Sequence, residues 1–276
     1  MRYTTEAGNT YDPNENILYS DWDQGFFSNC TTTLWSLAKL ANAGIEPNEI
    51  KTEYGWRKYQ DVEGTNAFAR FFCSSQNNIK IPICQSLPHL CQHSDYSKVM
   101  NLFKPFVHKW FAPQEHIKKL EQEILNKYNI NLNKTIGIYR RVTDKNSEIK
   151  LASLEQYINA AKDLLTQHSD HKLFVQTDDT QTVEIFKQTF ENNCISIDEL
   201  TTSSEPIGIH CQLKSNKEMH GNLMLAVVSI LSKCDVVLNC SSNVALWIYL
   251  YRTYNGNEFQ FSAEPDKLLT KNDFGI

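Results

Sequence analysis

The sequence predicts an α/β protein whose second half is a doubly wound parallel sheet. The chain has 276 residues, which is enough for two compact domains of roughly 100–150 residues each. From residue 134 onward, short apolar runs alternate with longer segments that have helical periodicity. Strands that alternate with helices in this way form a parallel sheet covered by helices on both faces.

The first half shows one clear unit of strand, loop and helix. Residues 16–20 have the composition of a short strand, residues 21–25 that of a loop, and residues 30–43 carry leucines at helical spacing. Residues 50–112 are rich in aromatic residues, asparagine and proline, so we expect short elements mixed with loops. Residues 113–125 predict an amphipathic helix, with proline at its start and acidic residues early.

The second half predicts four strands and four helices. The strands are expected at 136–139, 172–177, 195–197 and 235–239, and the helices at 153–167, 181–191, 217–231 and 242–251. Ser153 precedes its helix as an N-cap residue. We therefore predict two domains, over 1–128 and 129–276.

Composition and charge argue against several classes of protein. Charged residues make up 21% of the chain and apolar residues 41%, which is typical of a globular protein and argues against disorder. The formal net charge of −5 argues against a general nucleic-acid binder, which would carry a basic excess. The sequence has no signal-peptide pattern and no run of about 18 apolar residues, so we expect a cytoplasmic protein without a membrane span.

Polar residues follow three of the predicted strands, at 140–144, 178–180 and 240–243. In a doubly wound sheet, ligands bind beyond the carboxyl ends of the strands. An arginine binds two phosphate oxygens, and serines at a helix N-terminus bind others. The chain has neither a GxxxxGK[ST] nor a GxGxxG motif. The pattern predicts a nucleotide diphosphate site, although each group alone also suits a surface pair, a turn or a helix cap.

Three segments in this region resemble the motifs of one enzyme family. They are IGIYRRVTDK, LFVQTDDTQTVEIFK and LSKCDVVLNCSSNVALW, within residues 134–250. Their order and spacing resemble the fucosyltransferase superfamily that contains α1,6-fucosyltransferases, nodulation-factor fucosyltransferases and protein O-fucosyltransferases. The resemblance implies a GT-B fold, with two Rossmann-like doubly wound domains and a cleft between them. It also implies a sugar-nucleotide donor in the C-terminal domain, an acceptor-side N-terminal domain, and no metal or other cofactor.

The resemblance also assigns site residues. Arg141 matches the arginine on the donor phosphates, and Asp144 matches the aspartate that braces its loop. The remaining matches are a donor-side acidic pair and two phosphate-contacting serines, at Asp178, Asp179, Ser241 and Ser242.

The sequence departs from the family at the residues that hold guanine. Tyr139 replaces the motif histidine, and the aspartate expected on a later helix falls at about Val227. The second arginine of the α1,6 enzymes is Val142, for which Arg140 is a possible substitute. A donor with uracil, such as UDP-xylose, is therefore an alternative to GDP-fucose.

The resemblance implies inverting sugar transfer, which needs a base for the acceptor hydroxyl and positive charge on the leaving diphosphate. Arg141 would supply the charge. Glu148 is close to the family's base position, while Asp21 and Asp23 are rivals in a loop expected to face the cleft.

We therefore predict a metal-independent glycosyltransferase that acts on a glycan or glycoconjugate hydroxyl, and that is of bacterial or viral origin or is an excised catalytic domain. The alternative is a catalytically inactive protein that binds nucleotide sugars or glycans, which the replaced guanine contacts favour.

Overall fold

Two four-stranded sheets, one from each half of the chain, organise this computed structural model. The structure describes residues 1–74, 96–144, 152–240, 242–255, 262–264 and 267–269. The first sheet contains the strands β1 (Tyr3–Glu6), β2 (Asn9–Asp12), β3 (Ile17–Tyr19) and β4 (Glu49–Lys51), in that order. Its first two pairings are antiparallel, and β3 pairs with β4 in parallel across the helix α1 (Phe26–Asn42).

The predicted strand, loop and helix at the start of the chain are confirmed, with two differences. The hairpin β1–β2 was not predicted, and its turn contains Gly8 at a φ of +86°. Helix α1 begins at Phe26 instead of residue 30, because Phe26 and Phe27 are buried in the core. The ring of Phe26 lies 4.9–5.3 Å from the rings of its aromatic neighbours Phe27, Trp56, Tyr59 and Phe71.

The middle of the chain contains short elements, as predicted, and one long helix that was not predicted. The short elements are a 3-10 helix at Arg57–Tyr59, the helix α2 (Ala67–Phe71) and the strands β5 (Phe72–Cys73) and β6 (Ala112–Pro113). The long helix is α3 (Tyr96–Trp110), which has 15 residues. The predicted amphipathic helix is α4 (Glu115–Lys127), and a second 3-10 helix follows at Leu132–Lys134.

The second sheet confirms the predicted parallel arrangement. Its strands β7 (Thr135–Arg140), β8 (Lys172–Thr177), β9 (Cys194–Ile195) and β10 (Val236–Asn239) have the order β10-β7-β8-β9, and all pairs are parallel. The accompanying helices are α5 (Leu154–Gln167), α6 (Thr180–Phe190), α7 (Ile209–Gln212), α8 (Lys217–Lys233) and α9 (Asn243–Asn255). A third 3-10 helix lies at Glu191–Asn193, and a hairpin is formed by β11 (Ser262–Glu264) and β12 (Lys267–Leu269). Ser153 caps α5 as predicted.

Two clusters of buried side chains cover the faces of the second sheet. One lies under α5 and α6, and the other joins α8 and α9 to the aromatic residues of the first half. Helix α9 packs against α1 and α3, and α8 packs against α4, so the two halves of the chain share a core. The predicted division at residue 128 stays a prediction. None of the helices in the described part of the chain has the length and apolar character that a bilayer crossing requires.

Candidate active site

A pocket of about 330 Å³ lies at the carboxyl ends of the parallel strands, and we call it the strand-end pocket. Both halves of the chain contribute to it. The second half contributes residues that follow β7, β8 and β10, together with parts of α7 and α8. The first half contributes the start of α1, the preceding loop and Tyr59. The pocket is therefore where the strand-end rule places a ligand.

Arg141 is the centre of the polar contacts in the strand-end pocket. Its Nη1 lies 2.6 Å from Asp178 Oδ2, and its Nη2 donates to Asp144 Oδ1 at 2.5 Å. Burial disfavours the charged guanidinium, but Asp178, Tyr139 and Asp144 outweigh burial and raise the pKa of Arg141. Arg141 is therefore a fixed positive charge in a partly dry site, where charge interacts more strongly than in water.

Asp178 holds the loop that carries Arg141. Its carboxylate accepts the backbone N–H of Val142 at 2.8 Å and the N–H and hydroxyl of Thr143 at 3.3 and 2.5 Å. Only 5% of its side chain is exposed, whereas Asp144 is 32% exposed. The loop-bracing role that the resemblance gives to Asp144 is thus shared with Asp178.

Side chains of β7 alternate between the two faces of the sheet. Tyr139 and Arg141 line the strand-end pocket, whereas Arg140 contacts the elements on the other face. Arg140 Nη1 donates to Thr182 Oγ1 at 2.6 Å and lies 3.6 Å from Asp179 Oδ2. Asp179 caps α6, as its sequence pattern suggested. Neither Arg140 nor Asp179 lines the pocket, and their contacts with a donor stay predictions.

Two helix N-termini point to the strand-end pocket. The first residues of α1, Phe26 to Ser28, and those of α9, Asn243 and Val244, line it, and neither first turn contains an acidic residue. Ser242 lines the pocket and caps α9, since its Oγ accepts the N–H of Ala245 at 3.1 Å. Helix N-termini attract anions through their dipole and their N–H groups. With Arg141, they give the strand-end pocket the kind of groups that bind anions.

Two of the three predicted base candidates, Asp21 and Asp23, lie within the described residues and make contacts outside the lining of the pocket. Asp21 Oδ1 accepts the backbone N–H groups of Glu53, Tyr54 and Gly55 at 2.7, 2.9 and 3.2 Å, so Asp21 organises a turn. Asp23 Oδ2 accepts from Arg57 at 2.9 Å. Neither aspartate lines the strand-end pocket, although Trp22 between them does.

Two predicted site residues, Glu148 and Ser241, lie outside the described residues. Their predicted roles, as base and as phosphate contact, stay predictions. Ser241 is adjacent in sequence to Ser242, which the structure places in the pocket.

Sequence reasoning missed two histidines of the strand-end pocket, His210 and His220. Burial, followed by nearby positive charge, lowers the pKa of each to about 4, so both rings are neutral at neutral pH. His210 stacks on Tyr59, with ring centroids 6.4 Å apart. Their spacing in the sequence matches no motif, and His210 follows a long loop, so only the folded chain brings them to Arg141.

Comparisons with known proteins give a fold but no sequence family. No protein-family model and no curated protein matches the chain. Among solved structures, NodZ α1,6-fucosyltransferase soaked with GDP-fucose superposes with a TM-score of 0.58 and 14% identity, covering 92% of this chain and 97% of NodZ. NodZ co-crystallised with GDP gives 0.57 and 14%, covering 92% and 96%. NodZ from Bradyrhizobium gives 0.56 and 13%, covering 92% and 97%. The predicted fold is thus confirmed: this chain has the fold of the GT-B fucosyltransferases.

Proposed function

We propose that the chain is a glycosyltransferase that transfers a sugar from a nucleotide diphosphate to a glycan hydroxyl. The observation that carries this proposal is the position of Arg141. Its buried guanidinium lies in a pocket that is also lined by the first turns of α1 and α9, at the carboxyl ends of three parallel strands. Such a site binds a diphosphate and stabilises its charge as it leaves.

In this proposal one group of residues binds the diphosphate, and another lies on the side from which the acceptor enters. Arg141, Ser242 and the α9 N-terminus hold the diphosphate, and Asp178 fixes the loop that positions Arg141. The transfer inverts the anomeric centre and uses no metal, since Arg141 and the helix N-termini supply the charge. The acceptor would enter from the side of Trp22 and Tyr59, which the first half contributes.

GDP-fucose is the first donor to test, because NodZ structures with GDP-fucose and GDP share this fold. UDP-xylose is the alternative. Tyr139 is buried in the pocket, and Val227, which replaces a guanine contact of the family, is buried in α8 and does not line the pocket. Apolar residues form the remaining wall: Leu200, Ile209, Met224 and Val244.

The thermal stability of the protein with GDP or UDP tests donor binding, and it shows whether the donor carries guanine or uracil. A nucleotide present at 100 times its Kd stabilises the fold by about 2.7 kcal/mol, which raises Tm measurably. We expect this shift with at least one nucleotide. Arg141→Ala should abolish it, whereas Arg70→Ala, which removes a half-exposed arginine that does not line the pocket, should preserve it. A shift that survives Arg141→Ala would remove Arg141 from the diphosphate site.

A nucleotide-sugar binder without catalysis is the second candidate. The observation that favours it is that neither Asp21 nor Asp23 lines the pocket, and that both accept hydrogen bonds from other groups. Nucleotide release from GDP-fucose and UDP-xylose, followed with water and with a panel of glycans, separates the two functions. Binding without release under every condition would support the binder.

A further inference from the structure

Two side chains from distant parts of the sequence converge on Gly208. A Cβ placed on Gly208 would lie 3.0 Å from Asp144 Oδ2, 3.0 Å from His210 Nδ1 and 2.6 Å from His210 Cε1. Any residue larger than glycine would therefore displace one of these groups. The bare backbone of Gly208 leaves the space in which the carboxylate and the imidazole approach each other.

A diphosphate would compete with the carboxylates that now hold Arg141. Asp178 contacts Nη1 and Asp144 contacts Nη2 of the guanidinium, so a diphosphate that binds through these two nitrogens competes with both carboxylates. Asp178 is nearly buried and also holds the backbone of Val142 and Thr143. Asp144 is about one-third exposed, and its Oδ2 and His210 Nδ1 each lie 3.0 Å from the same point, the Cβ position of Gly208. Asp144 is therefore the partner that a diphosphate releases.

We propose that His210 is the general base of the reaction, and that a bound donor diphosphate transfers Asp144 from Arg141 to His210 Nδ1. This inference rests on the proposed function of the strand-end pocket. It makes Asp144 a positioning residue that fixes the His210 ring, while Nε2 accepts the proton. Donor binding and base activation are then one event, because the same carboxylate serves Arg141 before binding and His210 after it.

The bonds balance without a further reactant. His210 Nε2 takes the proton of the acceptor hydroxyl, whose oxygen forms a bond to the anomeric carbon. The bond from that carbon to the phosphate oxygen breaks, and the diphosphate leaves with the electron pair beside Arg141. The imidazolium that results is stabilised by Asp144 and returns its proton to water after the products leave.

The electrostatic surroundings of His210 agree with this role. In the ligand-free pocket, burial, Lys58 and Arg141 lower its pKa to about 4, so the ring is ready to accept a proton but is a weak base. A carboxylate within about 4–6 Å raises the pKa of a histidine toward the working range of a base. The charged or titratable groups that act on His210 or are acted on by it are Lys58, Arg141, Asp144, Asp23 and His220.

Histidine ring resonances measured by NMR with inorganic pyrophosphate test this proposal without an acceptor. We expect pyrophosphate to raise the pKa of His210 in the wild-type protein by at least about one more unit than in Asp144→Asn. Because Asp144→Asn has no carboxylate at this position, its shift measures the direct effect of the pyrophosphate charge on the pKa of His210. Equal shifts in both proteins would overturn the proposal while leaving a diphosphate site in place. Absence of pyrophosphate binding in the wild type would instead contradict the proposed function itself.

Turnover gives a second, independent readout. His210→Gln should reduce nucleotide release from the accepted donor by about 10²–10⁴-fold. The remaining activity should lose the acid limb of the wild-type pH profile. Release at the wild-type rate, or a variant with the wild-type acid limb, would exclude His210 as the base. Equal urea midpoints for the two proteins would show that the loss is not caused by unfolding.

Discussion

Arg140 and Arg141 are adjacent in the sequence but have different environments. Arg141 faces the strand-end pocket, and Arg140 contacts Thr182, Asp179 and the ring of Tyr157 on the other face. The sequence predicted that a polar cluster follows β7, and it singled out Arg141 through the family resemblance. The alternation of side chains along a strand explains why its neighbour has a separate set of partners.

Arg140→Lys should lower the free energy of unfolding by about 1–3 kcal/mol. Lysine keeps the charge but lacks the planar fork that reaches Thr182 and lies near Asp179. Urea denaturation measures the change. Arg70→Lys is the matched control, since Arg70 is half-exposed and should change stability by less than about 0.5 kcal/mol. A loss no larger than that of the control would mean that these contacts contribute little.

Stability should fall as the pH is lowered from 7 to 5, and His220 should contribute about 2 kcal/mol of this fall. Its pKa is lowered to about 4 in the folded state, by burial first, so the unfolded chain binds the proton more tightly. The stabilisation is complete above the unfolded pKa of about 6.5 and is lost progressively toward pH 4.

The free energy of unfolding measured by urea at pH 7 and pH 5 checks this prediction in His220→Gln. The variant should show a smaller difference between the two pH values than the wild type. An unchanged difference would assign the pH dependence to other groups, of which His210, with a similarly lowered pKa, is the first candidate.

The turn at residues 53–55, which Asp21 organises, has no room for a side chain at Gly55. Asp21 Oδ1 accepts three consecutive backbone N–H groups, and the third belongs to Gly55. A Cβ on Gly55 would lie 2.5 Å from the backbone of Asp21. Gly55→Ala should therefore destabilise the fold by about 1–3 kcal/mol, because backbone cannot move aside as a flexible side chain can.

Urea denaturation of Gly55→Ala measures this cost. Thermal stabilisation by the accepted nucleotide should persist in the variant, because Gly55 does not line the strand-end pocket. Wild-type stability in Gly55→Ala would show that the turn adjusts, and that Asp21 does not fix its geometry.

At the level of elements, periodicity predicted most of the second half and the strand, loop and helix of the first. Helices such as α5 and α8 have strong caps or long apolar patterns, so both their existence and their position were predictable. The hairpin β1–β2 was missed because its four-residue strands mix polar and aromatic residues. Helix α1 was predicted to start late, because Phe26 and Phe27 join an aromatic core that only the tertiary structure assembles.

The pocket residues that follow strands of the second sheet could be predicted from the sequence. The residues whose place depends on how the first half packs could not. Arg141, Asp144, Asp178 and Ser242 follow strands closely and line the pocket, while their contacts with a donor stay predictions. Asp21 and Asp23 were predicted from their place in a loop, but their side chains turn toward backbone and Arg57. The pocket histidines require the tertiary fold, since no local pattern links them to Arg141.

For the whole molecule, the contact between α1 and α9 joins the two halves. Thr31 Oγ1 accepts from Trp247 Nε1 at 3.0 Å and lies 3.0 Å from Asn243 Oδ1, which shares the hydroxyl proton with the carbonyl of Phe27 at 2.7 Å. Thr31→Val should leave the buried Trp247 donor without this partner and cost about 1–3 kcal/mol. Thr32→Val, on the same helix, is the matched control, because the hydroxyl of Thr32 donates to the carbonyls of Ser28 and Asn29 within α1.

Denaturation curves of the two valine variants test this prediction. A larger loss of unfolding free energy in Thr31→Val than in Thr32→Val would show that the contact between α1 and α9 stabilises the joint between the two halves. Equal losses would show that this contact contributes no more than a contact within one helix. Nucleotide-induced stabilisation should also weaken in Thr31→Val, since Asn243 belongs to both the joint and the strand-end pocket.

The return of α9 to the first half limits how this chain can be rearranged. Its residues from Val244 to Leu250 are buried, and the helix packs against α1 and α3. Cutting the chain near residue 128 would leave the second fragment with an apolar helix exposed and the first with an open groove. Exchanging the second half between proteins of this fold would therefore break the contacts of both α8 and α9 with the first half. Chimeras that take α1, α3, α4, α8 and α9 from one parent should express and refold better than chimeras joined at residue 128.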